Sequence, residues 1–401
     1  MTTTRTLTER VTASLVTRNE SRQWETLIGR LLRRLELDPD QRAQAETDYN
    51  DLALQLARQL DVPRHDVHIF PQGSMRTQTT ISPQHPVKFD LDLVVKLTGP
   101  RYQNPDPEAL FAAVGEALKG NEALTGKPEA KRRCWRLPYP NKRYYFDLTP
   151  AVRDQTGHAG SSLSVRDPDT RWAPSNPEEF ADWFCTHANQ RFPFQVTPRT
   201  AATMEHATVT PLPDDEIGLD DILRRAVQLM KLHRDTLYRG ASESKQAAMP
   251  ISVIIVTLAT HAYAELLARR AREFSSPIEV ALALVEAMPR YIGKSASGWR
   301  IENPKLAGEN FADRWNSDGG ERHAEFVHWH ARLEGDLEAL LYQSHRSPDE
   351  DRIRRVFGPA GVEAWKQSNP RAAVLDGLIA SGLEHTKTPA TPRPGSSNTL
   401  G

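Results

Sequence analysis

The sequence predicts an α+β protein: a lobe built on a sheet and wrapped by helices, then a mostly helical lobe, with substrate between them. Three observations carry this expectation. Apolar and polar residues alternate with period two in short segments between residues 66 and 152. Beyond residue 214 the apolar residues instead recur at helical spacing over long stretches. The opening segment, about Thr8 to Leu60, is also helical in pattern. At 401 residues the chain has room for two to three domains, or for one two-lobed unit with ample core.

Taken in order, residues 1–60 read as N-terminal helices, including Trp24 to Leu32. Residues 61–213 read as the sheet-bearing lobe and a connecting segment. Within them Pro107 to Lys119 has the proline start and helical period of a packing helix. Residues 153–213 are rich in Pro, Asp, Thr and Gly and read as irregular connection, interrupted by Glu178 to Phe184. Residues 214–384 read as the helical lobe, with helices expected over Ile217–Tyr238, Pro250–Phe274, Pro277–Met288 and Glu321–Ser344. Residues 385–401 hold three prolines, one large apolar residue and many small polar ones, too little to order a segment. No internal repeat is present.

Composition narrows the function class. Charged residues make up 26% and the net charge is −1, so overall charge gives no reason to expect a nucleic-acid partner. The basic clusters at Arg30/Arg33/Arg34, Lys131–Arg133, Arg269/Arg270/Arg272 and Arg352/Arg354/Arg355 have acidic residues near them and read as solvated helix faces. Two cysteines, Cys134 and Cys185, point to a reducing compartment and away from a disulfide framework. The apolar run Ile251 to Ala264 is too short to span a bilayer. Glu9, Glu20 and Glu25 argue against a transit peptide at the Thr- and Arg-rich start, so a cytoplasmic location without membrane partners is expected.

The most informative stretch is GSMRTQTTISPQHPVKFDLDLVV, Gly73 to Val95. Side chains alternate across a strand, so Asp90 and Asp92 share a face with their Cα atoms roughly 6.5–7 Å apart, while Phe89, Leu91, Leu93 and Val95 face a core. Asp-x-Asp alone is most often a solvated edge strand. Gly73-Ser74 ahead of it changes that balance. Glycine lets backbone approach a phosphate closely, and a serine hydroxyl with backbone N–H groups opening a helix, here Met75 to Ile81, makes an anion site. In Arg143 to Thr149, Tyr145, Asp147 and Thr149 make one face, which places Asp147 toward the same cleft. Three carboxylates together call for divalent cations. Mg²⁺ takes oxygen ligands and substrate phosphates, and paired ions about 3.5–4 Å apart drive in-line phosphoryl chemistry.

Two residues of the helical lobe fit a triphosphate. Lys231 offers a point charge, against a bland role as surface partner of Asp235; Ser252 opens an apolar helix, where capping is the bland role. The segment Glu302 to Phe311, with Asn310, reads equally as an Asn-rich turn or as part of an acceptor pocket. His323, His328 and His330 do not fall on one helical face, and no GxxxxGK[ST] motif is present.

FPQGSMRTQT, KFDLDLVV, YYFDLTPAV, LRRAVQLMKLHRD, MPISVIIVTLA and IENPKLAGENFADRW resemble, in that order, the bacterial cGAS/DncV-like nucleotidyltransferases (CD-NTases) of CBASS anti-phage signalling, within the polymerase-beta-like nucleotidyltransferase superfamily. The likeness spans about residues 60–320. It implies a polymerase-beta-like lobe with a mixed sheet, two Mg²⁺ ions (Mn²⁺ as the alternative) on Asp90, Asp92 and Asp147, and a donor triphosphate held by Gly73, Ser74, Lys231 and Ser252. It further implies NTP substrates, ATP or GTP among them, a cyclic di- or trinucleotide product and a downstream effector that responds to it. Fifteen residues separate Ser74 from Asp90, more than the tightest superfamily pattern, which marks Pro83 to Pro86 as an insertion. Val253 stands where some relatives carry a stacking tyrosine; Tyr102, Tyr145 and Trp299 are the planar alternatives for a base. Some relatives are attached through a C-terminal residue by a ubiquitin-activating-like partner, and Gly401 would be that conjugation point here. Two other readings stay open: a transferase that modifies RNA or protein, and a degenerate nucleotide-binding regulator.

Overall fold

A computed structural model describes residues 6–18, 21–81, 88–120, 126–139, 141–155, 162–192, 194, 221–269, 274–342 and 350–368. Three helices come first, α1 (Leu7–Arg18), α2 (Ser21–Arg34) and α3 (Pro39–Gln59). The sheet lobe follows: β1 (Val67–Pro71), α4 (Gly73–Thr77), β2 (Phe89–Leu97), α5 (Pro107–Lys119), β3 (Glu129–Ala130), β4 (Trp135–Leu137), β5 (Tyr144–Arg153), β6 (Leu163–Asp167), β7 (Arg171–Ser175) and α6 (Pro177–Ala188). The helical lobe holds α7 (Ile222–Tyr238), α8 (Glu243–Ala248), α9 (Ser252–Arg269), α10 (Pro277–Ala287), α11 (Glu321–Tyr342) and α12 (Glu350–Ser368), with a small hairpin of β8 (Gly293–Ser295) and β9 (Gly298–Arg300) before α11.

Four helices open on one local signal, a polar cap followed by proline: Asp38-Pro39, Asp106-Pro107, Asn176-Pro177 and Ser276-Pro277. In each the cap side chain accepts a backbone N–H of the first turn, and proline fills a position whose N–H has no helical partner.

The sheet is mixed. β2 lies between antiparallel β1 and parallel β5, and the far edge of β5 carries β4 first and β6 afterwards. Phe89, Leu91, Leu93 and Val95 of β2, with Phe146 and Leu148 of β5, pack under Leu52 and Leu56 of α3 and Val114 and Leu118 of α5. The opposite face is polar at Asp90 and Asp92, then turns dry where Val94 and Ala151 meet Leu163, Val165 and Ala173. A second core joins α7, α9, α10, α11 and α12 around Trp329, Tyr263 and Phe357. Val11 and Leu15 of α1 and Leu31 and Leu32 of α2 are buried in this second core, whereas α3 lies on the sheet.

Two features depart from the sequence reading. The segment expected to be irregular apart from Glu178 to Phe184 contains the β6–β7 hairpin, and the helix at that interruption, α6, is longer, Pro177–Ala188. The hairpin's Asp167-Pro168-Asp169-Thr170 turn hid two five-residue strands, because the Asp167 carboxylate accepts the N–H groups of Asp169 and Thr170 at 2.9 and 3.3 Å. α12 was not anticipated; it bends at Gly358 (φ 69°), followed by Pro359, and that pair conceals its period. The short helix after Gly73 ends at Thr77, where Gln78 turns left-handed (φ 55°). Pro83 to Pro86 and Gly401 lie outside the described residues. No described helix is long and apolar enough to cross a membrane.

Candidate active site

Parallel pairing of β2 with β5 sets Asp92 beside Asp147 and Asp90 beside Tyr145. One carboxylate oxygen from each of Asp90, Asp92 and Asp147 falls within 4.8 Å of the others, at a cavity of about 950 Å³. Burial and the charge of Asp147 push Asp90 upward in pKa; burial and the charges of Asp90 and Asp147 push Asp92 further. Arg136 of β4, opposite Asp147 in register, forms a fork with it at 2.8 and 2.7 Å and lies 3.9 Å from Asp90. Its guanidinium also stacks 4.1 Å from the Tyr145 ring centre. The donor set therefore fits a metal ion: oxygen ligands only, on adjacent strands, with more negative charge than the side chains nearby offset. These three carboxylates could hold one.

Gly73 explains its own residue type. Its φ is +56°, and a Cβ there would stand 2.7 Å from Asp92 Oδ2. The Gln72 N–H donates to the Asp92 carbonyl at 2.9 Å, fastening this turn to β2. Ser74 lines the cavity, and its Oγ accepts from the Thr80 hydroxyl at 3.3 Å.

α7 and α9 also line the cavity. Lys231 is buried and its Nζ donates to the Thr79 carbonyl at 2.9 Å, so it is not the surface partner of Asp235. Burial and the neighbouring charge of Arg234 bring Lys231 down to about 8. Asp235 pairs instead with Arg234 at 2.6 Å. Arg234 also donates to the Pro250 carbonyl at 3.0 Å and to Ser252 Oγ at 2.9 Å, which leaves the Ser252 hydroxyl proton for another acceptor.

Asn310 is a correction. Its Oδ1 accepts the N–H groups of Ile301 and Ala312 at 2.8 and 3.0 Å, and its Nδ2 donates to the Trp299 carbonyl at 2.9 Å. The turn engages both the oxygen and the nitrogen of the amide, and Asn303, Glu309 and Phe311 line the cavity instead. Burial pushes Glu309 up to about 7, against the Asn303 amide and the charge of Arg133. Of the three planar candidates only Tyr145 reaches the cavity, since Tyr102 is buried elsewhere and Trp299 stacks on His323 at 3.8 Å. His330 is buried against the Val285 carbonyl at 2.8 Å, and His328 is exposed, so the histidines form no cluster.

Arg136 and Arg234 escaped the sequence reading. The alternation Trp135-Arg136-Leu137 and the three-residue step from Lys231 to Arg234 along one helical face were the signals available.

Comparison with known proteins places these residues among relatives. The pattern of the Second Messenger Oligonucleotide or Dinucleotide Synthetase (SMODS) domain matches residues 25–188. A c-di-GMP synthase of Roseivirga ehrenbergii is 26% identical over 383 residues, spanning 92% of this chain and 94% of that protein. The fold is shared with the GTP complex of the Bradyrhizobium diazoefficiens CD-NTase CdnG: TM-score 0.64, 24% identity, 86% of this chain and 99% of that one. It is shared too with the Vibrio cholerae cyclic AMP-GMP synthase DncV bound to a linear pppA(3',5')pG intermediate: TM-score 0.57, 14% identity, 82% and 94%.

Proposed function

We propose that the chain is a bacterial cGAS/DncV-like nucleotidyltransferase that joins nucleoside triphosphates into a cyclic di- or trinucleotide. One observation carries the reading: Asp90 and Asp92, with the Asp147 carboxylate within 4.8 Å of theirs, line the same cavity as Lys231 and Ser252. The cavity is at the upper end of the usual range for ligand sites, roughly 300–1,000 Å³.

In each step a ribose hydroxyl forms the new bond to an α-phosphorus, the bond from that phosphorus to the β-phosphate oxygen breaks, and pyrophosphate leaves. Asp90 and Asp92 would hold two divalent ions, Mg²⁺ or Mn²⁺, and Asp147 one of them. When bound, such ions neutralise phosphate charge and acidify the attacking hydroxyl. Asp147 assists in taking that hydroxyl's proton. Gly73 lets its backbone approach the β- and γ-phosphates beside the Ser74 hydroxyl. Lys231 keeps its ammonium against them, anchored by Thr79. Arg234 orients Ser252 so that its hydroxyl donates to a phosphate oxygen. The product would serve a downstream effector in anti-phage defence.

The test is purified protein with the four labelled NTPs and Mg²⁺ or Mn²⁺, resolved after phosphatase treatment. A resistant small molecule is expected. Label running with a macromolecule, or no product under any nucleotide and metal combination, overturns the reading.

A further inference from the structure

The part of the cavity wall supplied by Asn303, Glu309 and Phe311 differs in chemistry from the part supplied by Asp90 and Asp92. Asn303 to Phe311 forms a braced tongue: the Asn303 N–H donates to the Glu309 carbonyl at 2.9 Å, and the Phe311 N–H to the Ile301 carbonyl at 2.8 Å. A bridge joins Glu302 to Asn310, and the Asn310 amide ties the base of the tongue together. This frame presents Glu309 to the cavity with its carboxylate plane fixed by Asn303, whose Nδ2 donates to Oε2 at 2.7 Å. No other hydrogen-bond donor among the described residues reaches that carboxylate. Beside it Phe180 and Phe311 meet edge to face at 5.6 Å, and both line the cavity. A half-buried carboxylate with one side-chain donor keeps acceptor positions free toward the cavity, and aromatic faces beside it suit a planar heterocycle.

We infer that Glu309 reads the base of a bound nucleotide and that the base it selects is guanine. The inference rests on the nucleotidyltransferase reading of the same cavity and adds the residue that chooses the substrate. In its ionised form, which two facing N–H donors would favour, the Glu309 carboxylate only accepts hydrogen bonds, and its two oxygens keep lone pairs beyond the one Asn303 uses. Guanine alone of the four common bases presents two adjacent donors, N1–H and the N2 amine, on its Watson–Crick edge. Adenine and cytosine set an acceptor next to their amine, and uracil sets carbonyls on both sides of its single N–H. Those acceptors would face carboxylate oxygen, a repulsive pairing. Asn303 and Asn310 act as positioning residues for the reader.

The test measures binding of non-hydrolysable GTP, ATP, CTP, UTP and ITP analogues to the full chain, wild type and Glu309→Gln, with melting curves for both proteins. A bidentate base contact is worth about 1–3 kcal/mol, so the wild type should favour the GTP analogue over the ATP analogue by about 5- to 150-fold. The ITP analogue, which lacks the N2 amine, should bind more weakly than the GTP analogue to the wild type. Glu309→Gln turns one acceptor into a donor aimed at guanine N–H, and should erase both preferences while melting within a few degrees of the wild type. A wild type indifferent to base, equal binding of the GTP and ITP analogues, or a guanine preference that survives Glu309→Gln would each overturn the inference. Because these analogues are not turned over, a wild type that prefers guanine yet makes no cyclic product overturns only the proposed reaction.

Discussion

Asp92→Asn should make the protein inactive and, with metal chelated, more stable. The substitution keeps the side chain's shape and removes one charge from a cluster whose oxygens lie within 4.8 Å of one another. At an effective dielectric of about 20, two unit charges at that spacing repel by about 3–4 kcal/mol. Arg136 and Lys231 act in the opposite direction on Asp92, and returning about half of that repulsion leaves a net gain of about 1–2 kcal/mol for asparagine. The sign follows from linkage. Burial, then Asp90 and Asp147, raise the folded-state pKa of Asp92 above its unfolded value, so its ionisation costs stability as pH rises from the ordinary carboxylate range through neutrality. The assay is a set of melting curves in chelator from pH 4 to pH 8, beside a product assay in Mg²⁺. The variant should melt about 2–4 °C above the wild type at neutral pH, with the gap closing toward pH 4. A variant that melts lower at pH 7, or a gap that does not grow with pH, would refute the electrostatic reasoning; turnover near wild type would refute the catalytic one.

Lys231→Ala removes a charge-assisted contact to phosphate and should weaken binding of a non-hydrolysable donor NTP by about 10- to 150-fold, read by titration. Gly73→Ala places a methyl group 2.7 Å from Asp92 Oδ2 on left-handed backbone, and should cut turnover sharply while lowering stability by about 1–2 kcal/mol in denaturant titration. Arg136→Ala should lower the melting temperature more in chelator than in saturating Mn²⁺, because the fork to Asp147 offsets carboxylate charge when no ion does; equal losses in both would contradict this.

What could be read from the sequence was whatever is local or periodic. The alternation in KFDLDLVV fixes the face of Asp90 and Asp92, and RYYFDLT does the same for Asp147; parallel pairing of the two strands then sets Asp92 beside Asp147. Arg136 was invisible because its partner is a strand pairing rather than a neighbour in sequence, and a three-residue strand carries too little period to declare itself. Lys231 was read as a triphosphate contact, but its burial was not legible, because a helix with charges on several faces gives no sign of which one is enclosed. Asn310 could not be separated from Glu309 or Phe311 by pattern alone, since a tight turn decides which of three adjacent side chains faces inward.

The two cores have different histories along the chain. The sheet core draws on residues 37 to 152, while the helical core needs α1 and α2 from the beginning and α7 to α12 from the second half. Contacts such as the Leu7 N–H to Glu286 at 2.8 Å and Arg10 to Glu338 at 2.7 Å join residues 279 and 328 positions apart. During synthesis, therefore, Val11, Leu15, Leu31 and Leu32 precede the carboxylate-bearing sheet, while most of the core they join follows it. The strands that carry Asp90, Asp92 and Asp147 can assemble before α7 and α9 exist, and α1 and α2 are placed only after the helices that follow them.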